Sequence, residues 1–371
     1  MNVSRSSPPE PSTKSVAILG AGIIGLCCAW RLADLGAKVT IFDPRKPGQG
    51  ASWAAAGMLA PAFEVGHTGK SHPKLAELCL ASAALWPDFA DRLEETASQS
   101  IGYASGPSLA VAKSDEHAAH LDQLTEKLSQ LDIPFEDLGV DRGLAYEPAL
   151  ATDLKRVVRL PTDGHADNRR VIKALLSVCE RHAQISTRFR QSTQTPESLL
   201  KEFDQVLITA GWESKALLGI QVPLAPVSGQ LLSVAIERGM PTRTIRAGNV
   251  YIAPKTDRIV IGATVEPGTV RTSTDDETLQ LLREQASALC PSLRLGPVLE
   301  TWFGVRPGLP DHAPIIGRTD NPYVFMATGH HRNGILLAPI TAKLISELML
   351  QDLKPDLADP FRPDRFAHSG V

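Results

Sequence analysis

Val16-Ala17-Ile18-Leu19-Gly20-Ala21-Gly22-Ile23-Ile24-Gly25, followed by an acid at Asp43, is the stretch that decides the fold. It reads as an apolar buried strand, a glycine turn and the first turn of a helix that runs through Leu35 to Gly36. Lys38 to Phe42 then makes a second strand that ends at Asp43. Each glycine has a physical task. Gly20 permits the tight turn, Gly22 lets the backbone approach a pyrophosphate, and Gly25 lets helix and strand pack closely. The helix N-terminus offers free N–H groups and the positive end of its dipole to the phosphates. An acid about 20 residues further on suits ribose hydroxyls. A glycine triplet alone is weak evidence, and a βαβ turn that binds nothing is the bland alternative. Strand, turn, helix, second strand and acid in this order favour a dinucleotide site.

At 371 residues the chain exceeds what one compact core usually holds, so two domains are expected. Its 38 Lys and Arg against 41 Asp and Glu leave a formal charge of −3, which argues against a nucleic-acid surface or any other polyanion partner. Residues 1–14 are rich in serine and proline and read as a disordered tail, neither a signal peptide nor an anchor. No apolar run has the length needed to span a bilayer. Five cysteines (Cys27, Cys28, Cys79, Cys179, Cys290) lack any CxxC or zinc spacing and suit a reduced compartment, so a soluble cytoplasmic protein is expected.

After the first βαβ unit, Gly48-Gln-Gly-Ala-Ser-Trp-Ala-Ala-Ala-Gly-Met58 sets small side chains in a row that would bring backbone N–H groups close to a flat ligand or, more blandly, make a tight junction. Residues 74–95 and 114–131 read as helices, and Val206 to Gly211 repeats the pattern of an apolar strand meeting a glycine. From Val222 to Thr264 the period changes to two, the mark of antiparallel strands. Asn249 to Ala253 and Arg258 to Gly262 form a hairpin that puts Asn249 and Tyr251 on one face. A short strand, Trp302 to Arg306, ends against Pro307. Tyr323 to Gly329 is a strand leading into His330-His-Arg-Asn-Gly-Ile-Leu-Leu-Ala-Pro339 and a helix to about Leu350. The expected class is α/β: a Rossmann-like dinucleotide-binding domain assembled from discontinuous segments (15–85, 148–220 and 301–352), and an α+β substrate domain with an antiparallel sheet (86–147 and 221–300). Residues 353–371 read as a polar C-terminal tail.

The Gly329 to Ile335 segment would aim a helix N-terminus and backbone amides at its neighbour, a way to stabilise negative charge on a reduced flavin ring. Nicotinamide enzymes rarely need such a cradle, so FAD is preferred to NAD. Arg306 and Arg332 stand at the ends of apolar strands, and a guanidinium fork there matches a carboxylate with two parallel hydrogen bonds; structural ion pairs are the alternative. Tyr251 would donate its phenol to the same carboxylate or serve only as core. Adjacent His330 and His331 are poorly placed to share a metal, so no metal site is expected, and no Gly-x-Ser-x-Gly elbow supports hydrolysis.

The N-terminal fingerprint, Ala54-Ala-Ala-Gly-Met58, Tyr251, Gly304-Val-Arg-Pro-Gly308 and above all Gly329 to Pro339 resemble the D-amino-acid oxidase superfamily of FAD-dependent oxidoreductases, and within it the glycine oxidases of thiamine biosynthesis. The resemblance runs from Ser15 to about Asp352. It implies noncovalent FAD and hydride removal from the α-carbon of glycine, sarcosine or a small D-amino acid to give an imine, with O2 reduced to H2O2. The imine would hydrolyse or pass to thiazole-forming enzymes. The implied partners are a small amine and O2, with homo-oligomerisation left open. By the same resemblance Gly20, Gly22, Ile23, Ile24, Gly25, Asp43 and Pro44 would hold the adenosine and pyrophosphate. Ala51, Ser52, Ala56, Gly57 and Met58 would line one side of the flavin, and His330, His331, Arg332, Asn333, Gly334, Ile335 and Leu336 the other. Arg306 would clamp the substrate carboxylate, helped by Tyr251 and Arg332, with Asn249 nearby.

Departures from the family pattern are Asp43 in place of glutamate, Asn249 in place of histidine and His331 in place of phenylalanine. The last two bear on the preferred amine. Covalent attachment, known in the related sarcosine oxidases, would need a cysteine near Trp302 to Gly304, and none occurs after Cys290. The rival readings are a quinone-linked D-amino-acid dehydrogenase and a non-catalytic flavin-binding protein.

Overall fold

A computed structural model describes residues 13–66, 72–192, 194–218 and 222–366. The tail expected over 1–14 lies almost wholly outside the described residues. Ser15–Leu19 is buried along nearly its whole length, as a parallel strand covered on both faces must be. It occupies the middle of a six-stranded sheet, between Lys38–Asp43 and Gln205–Ile208. Ile185–Phe189 lies outside Lys38–Asp43. On the other side come Val324–Thr328 and then Ile315–Arg318, the only antiparallel member. The helices Ile23–Asp34, Leu75–Ala97, Asn168–Arg181 and Ala338–Leu350 pack together over one face in a single apolar core containing Leu26, Trp86, Leu93, Leu175 and Ile345. Distant parts of the chain therefore meet at the carboxyl end of Ser15–Leu19, where open α/β sheets bind their ligands.

The second sheet has nine strands, mostly antiparallel. Val250–Pro254 and Ile259–Gly262 form the expected hairpin, with Tyr251 opposite Gly262; Arg246 of Ile245–Ala247 stands opposite Tyr251 on the other flank. Ala225–Val234 pairs with Val298–Gly308 so that Gly229 faces Gly304 and Val227 faces Arg306.

Several expectations change. The strand expected over Trp302 to Arg306 runs the full Val298–Gly308 and passes through Pro307, because it pairs only with Ala225–Val234 and a proline on such an edge removes no needed donor. The sheet membership of Arg156–Leu160 and Val298–Gly308 is with the second sheet, which moves the segment boundaries drawn at 148 and 301. Gly329 to Ile335 is not the start of a helix. Turns occupy 331–337, and the helix begins at Ala338, where Pro339 favours a first turn. The C-terminal segment is no free tail as far as it is described: Asp359–Phe361 and Pro363–Phe366 are short 3-10 turns, and Phe361 is wholly buried against the first core.

Candidate active site

A cavity of 1320 Å³ runs from the glycine turn to one face of the second sheet. Gly20 has φ +114°, and a Cβ there would lie 2.6 Å from the Thr209 carbonyl oxygen, so no other residue fits. Gly22 differs. Its backbone is ordinary (φ −75°, ψ 178°), the nearest atom to a Cβ is Ser52 Oγ at 3.4 Å, and its open side faces the cavity. The Ile23 N–H donates to Ser52 Oγ (3.1 Å). Asp43 accepts from the Ala21 N–H on one oxygen and the Arg45 N–H on the other (2.9 Å each), which leaves acceptor capacity on a carboxylate for a ligand hydroxyl. Ile24, Pro44 and Ala51 complete this wall.

The 51–58 segment is fixed from outside. Asn168 Nδ2 donates to the Ser52 and Trp53 carbonyls (2.8 and 3.0 Å), and the Trp302 indole donates to the Ala54 carbonyl (3.0 Å). Ser52, Ala56, Gly57 and Met58 thereby border the cavity. Across it lie His330, His331, Arg332, Gly334 and Ile335. His330 is buried with Nε2 3.0 Å from Thr341 Oγ1, and burial pushes its pKa down to about 3. His331 is likewise pushed down to about 3, by burial and by the nearby Arg332 and Arg306. Both rings are therefore neutral near pH 7. Three expected cofactor residues do not border the cavity. Gly25 packs against the Gly20 carbonyl, Asn333 is buried with Nδ2 3.3 Å from Glu64, and Leu336 is buried with its carbonyl accepting from Ser82 and Trp86.

At the far end Arg306 projects from the second sheet. Its Nη1 donates to the Ser228 and Thr264 carbonyls (3.4 and 3.3 Å), and no carboxylate among the described residues stands within ion-pair distance. Space for the guanidinium exists because residue 229 is glycine: a Cβ there would lie 2.5 Å from Nη1 and 2.8 Å from Nη2. Tyr251 owes its position to Gly262 in the same way, a Cβ falling 2.2 Å from the phenol oxygen. Burial pushes that phenol up to about 12, so it stays a neutral donor. Asn249 lies on the cavity wall nearby. Arg332 does not stand free as a second clamp, since its Nε donates to Glu64 Oε2 at 2.7 Å.

Glu64, Arg246, Gly229 and Gly262 were not anticipated. The two glycines carried a signal, since an isolated glycine within a strand pattern marks a close approach. Glu64 and Arg246 carried none, because their meeting is purely tertiary.

The arrangement can hold a dinucleotide at the glycine turn, enclose a flat ring between the 51–58 and 330–335 segments, and fix a small carboxylate with Arg306 and Tyr251. Open space beside Gly22 fits the close approach of a dinucleotide's pyrophosphate, and the room between the 51–58 and 330–335 segments fits the ring of a flavin. Among the described residues no helix is long and apolar enough to cross a membrane. The FAD dependent oxidoreductase family (DAO) matches residues 15–348. The glycine oxidase of Geobacillus kaustophilus is 31% identical over 351 residues, 90% of this chain and 92% of the relative. Its crystal structure superposes with a TM-score of 0.86 at 30% identity, covering 95% of this chain and 99% of that one. The bifunctional protein ThiO/ThiG of Trichormus variabilis is 30% identical over 372 residues; the match takes in 95% of this chain, which spans only 55% of that relative. With the family match extending over both sheets and the glycine turn, this chain belongs to the DAO family of FAD-dependent oxidoreductases.

Proposed function

We propose that the protein oxidises glycine and other small amines or D-amino acids to imines, with O2 as the final acceptor. The observation that carries this reading is Arg306, a guanidinium with carbonyl partners only, aimed with Tyr251 into the cavity. Arg306 receives the substrate carboxylate as two parallel hydrogen bonds, and Tyr251 donates a third. That fixes the α-carbon. FAD, when bound, supplies a two-electron acceptor that O2 can reoxidise. The acids on the cavity wall are Asp43 and Glu213, both at the nucleotide end, so the amine enters in its neutral form and needs no protein base. His330 and His331, neutral, add no repulsion to it.

Similarity to relatives named glycine oxidase and ThiO supports the substrate class, and similarity to a bifunctional ThiO/ThiG relative supports delivery of the imine to a thiazole-forming enzyme. Five buried free cysteines fit a reducing compartment such as the cytoplasm. The test is the yellow holoprotein with glycine, sarcosine and D-alanine in air. Peroxide formed in step with amine consumption is expected. Flavin bleaching without peroxide would make it a dehydrogenase, and no bleaching by any amine under anaerobic conditions would make it a flavin-binding protein.

A further inference from the structure

Arg246 lies directly opposite Tyr251 across two antiparallel strands, so both side chains leave the sheet on the same face, and both border the cavity. Its side chain is only 7% exposed and lies over the Phe63 ring, 3.6 Å from the centroid. For a buried guanidinium it is poorly paired. Its one hydrogen bond among the described residues runs from Nη2 to Glu64 Oε1 at 3.5 Å, the weak limit of such contacts. Glu64 is claimed more firmly by Arg332 Nε at 2.7 Å and also by Asn333 at 3.3 Å. Arg246, Arg306 and Arg332 thus have Glu64 as their only carboxylate at ion-pair distance among the described residues. Asp163 attracts Arg246 from further off, its own oxygens engaged by Ser108 Oγ (2.6 Å) and the Ala62 N–H (3.0 Å). A guanidinium has five donors, and one buried with most of them unmatched beside an open cavity is a receptor for a ligand oxyanion.

We propose that Arg246 receives a second acidic group of the substrate, so that the site accepts small amino dicarboxylates with the α-carboxylate on Arg306 and the other on Arg246. This rests on the amine-oxidase reading of the cavity.

The experiment titrates the flavin spectrum of the holoprotein with the nonreactive acids glycolate, malate and oxydiacetate. The dicarboxylates should bind at least about tenfold more tightly than glycolate, one further charge-assisted contact being worth that much. In Arg246→Met the dicarboxylate-to-glycolate affinity ratio should fall, by about thirtyfold to several thousandfold if the pair is fully desolvated. Peroxide assays with D-aspartate and N-carboxymethylglycine then show whether the second acid hangs from the α-carbon or from nitrogen. Equal loss of both ligand classes in Arg246→Met, or no dicarboxylate preference in the unmodified protein, overturns the assignment. The unmodified protein decides the matter even if the variant fails to fold. Failure of every carboxylate, glycolate included, to perturb the flavin would instead remove the amine-oxidase reading beneath it.

Discussion

Gly22→Val and Gly25→Ala separate a glycine kept for a ligand from one kept for the fold. At Gly25 an added Cβ would lie 2.0 Å from the Gly20 carbonyl oxygen and 2.7 Å from Thr209 Oγ1, so the strand-to-helix junction must move. Overpacking of this kind costs about 1–3 kcal/mol and more where backbone must shift, so Gly25→Ala should lower the apoprotein's urea midpoint clearly. At Gly22 the backbone suits any residue, and the nearest atom, Ser52 Oγ at 3.4 Å, is in ordinary contact. Apoprotein stability should therefore change by no more than about 1 kcal/mol. The added atoms enter the cavity instead. If a methyl there carries the same overpacking cost against the cofactor, Gly22→Ala weakens FAD binding about five- to 150-fold, and the larger valine abolishes it. Flavin fluorescence quenching on titration of apoprotein gives the affinity, and urea unfolding of the same samples gives the stability. A Gly22→Val protein with near-normal FAD affinity would refute the assignment of the pyrophosphate to this turn, and so would one that loses FAD only because it unfolds.

Arg306→Ala should keep FAD but lose about thirtyfold to several thousandfold in glycolate affinity, the roughly 2–5 kcal/mol of a desolvated charge pair, with Arg306→Lys recovering part; near-normal affinity would remove Arg306 as the clamp. Acid or heat should release free FAD into the supernatant, because none of the five cysteines borders the cavity; colour retained by the precipitated chain would contradict this. His165, His330 and His331 are pushed down to about 4, 3 and 3, mainly by burial. Their folded values lie below the ordinary 6.5, so the unfolded chain takes up protons first as pH falls. Stability from these groups is full above about pH 6.5 and drops by about 2 kcal/mol per histidine by pH 5, while Asp163, raised to about 6, returns about 1 kcal/mol over the same range. The apoprotein's urea midpoint should fall steeply from pH 7 to 5, and a flat profile would show these rings to be solvated.

The first βαβ unit was legible because everything that specifies it is local: an apolar run, glycines at fixed spacing, a helix and a second strand within thirty or so residues. The tyrosine hairpin was legible for the same reason, its period of two being written in adjacent residues. The helix after Gly329 was misplaced because glycine and polar residues permit either a helix start or successive turns. Asn333 N–H bonding to the His330 carbonyl selects turns there, and Pro339 delays the helix. The strand through Pro307 was cut short because a proline stops a central strand but not an edge strand, and edge position is known only once the sheet is assembled. Arg332 could be read as a free clamp only while Glu64, far away in sequence, was out of view.

The end of the cavity at the second sheet is shaped as much by missing side chains as by present ones. Gly229, Gly262 and Gly304 interrupt strands that are otherwise well furnished with apolar side chains, where a glycine sacrifices packing and backbone entropy. Gly229 admits the Arg306 guanidinium, Gly262 admits the Tyr251 phenol, and Gly304 lets Ala54 approach, a Cβ there falling 2.4 Å from the alanine's own. The first two place Arg306 and Tyr251, the groups proposed to take the substrate carboxylate, and the third seats the 51–58 segment against the second sheet. One sheet face thus sets Arg306, Tyr251 and the 51–58 segment in a single frame around the cavity. Replacing Gly262 with alanine should then displace the Tyr251 hydroxyl without touching the FAD phosphates, lowering kcat/KM for the amine while the flavin content of the purified protein stays full. A variant that loses flavin in proportion to activity would mean that this glycine serves the fold of the sheet and not the position of the phenol.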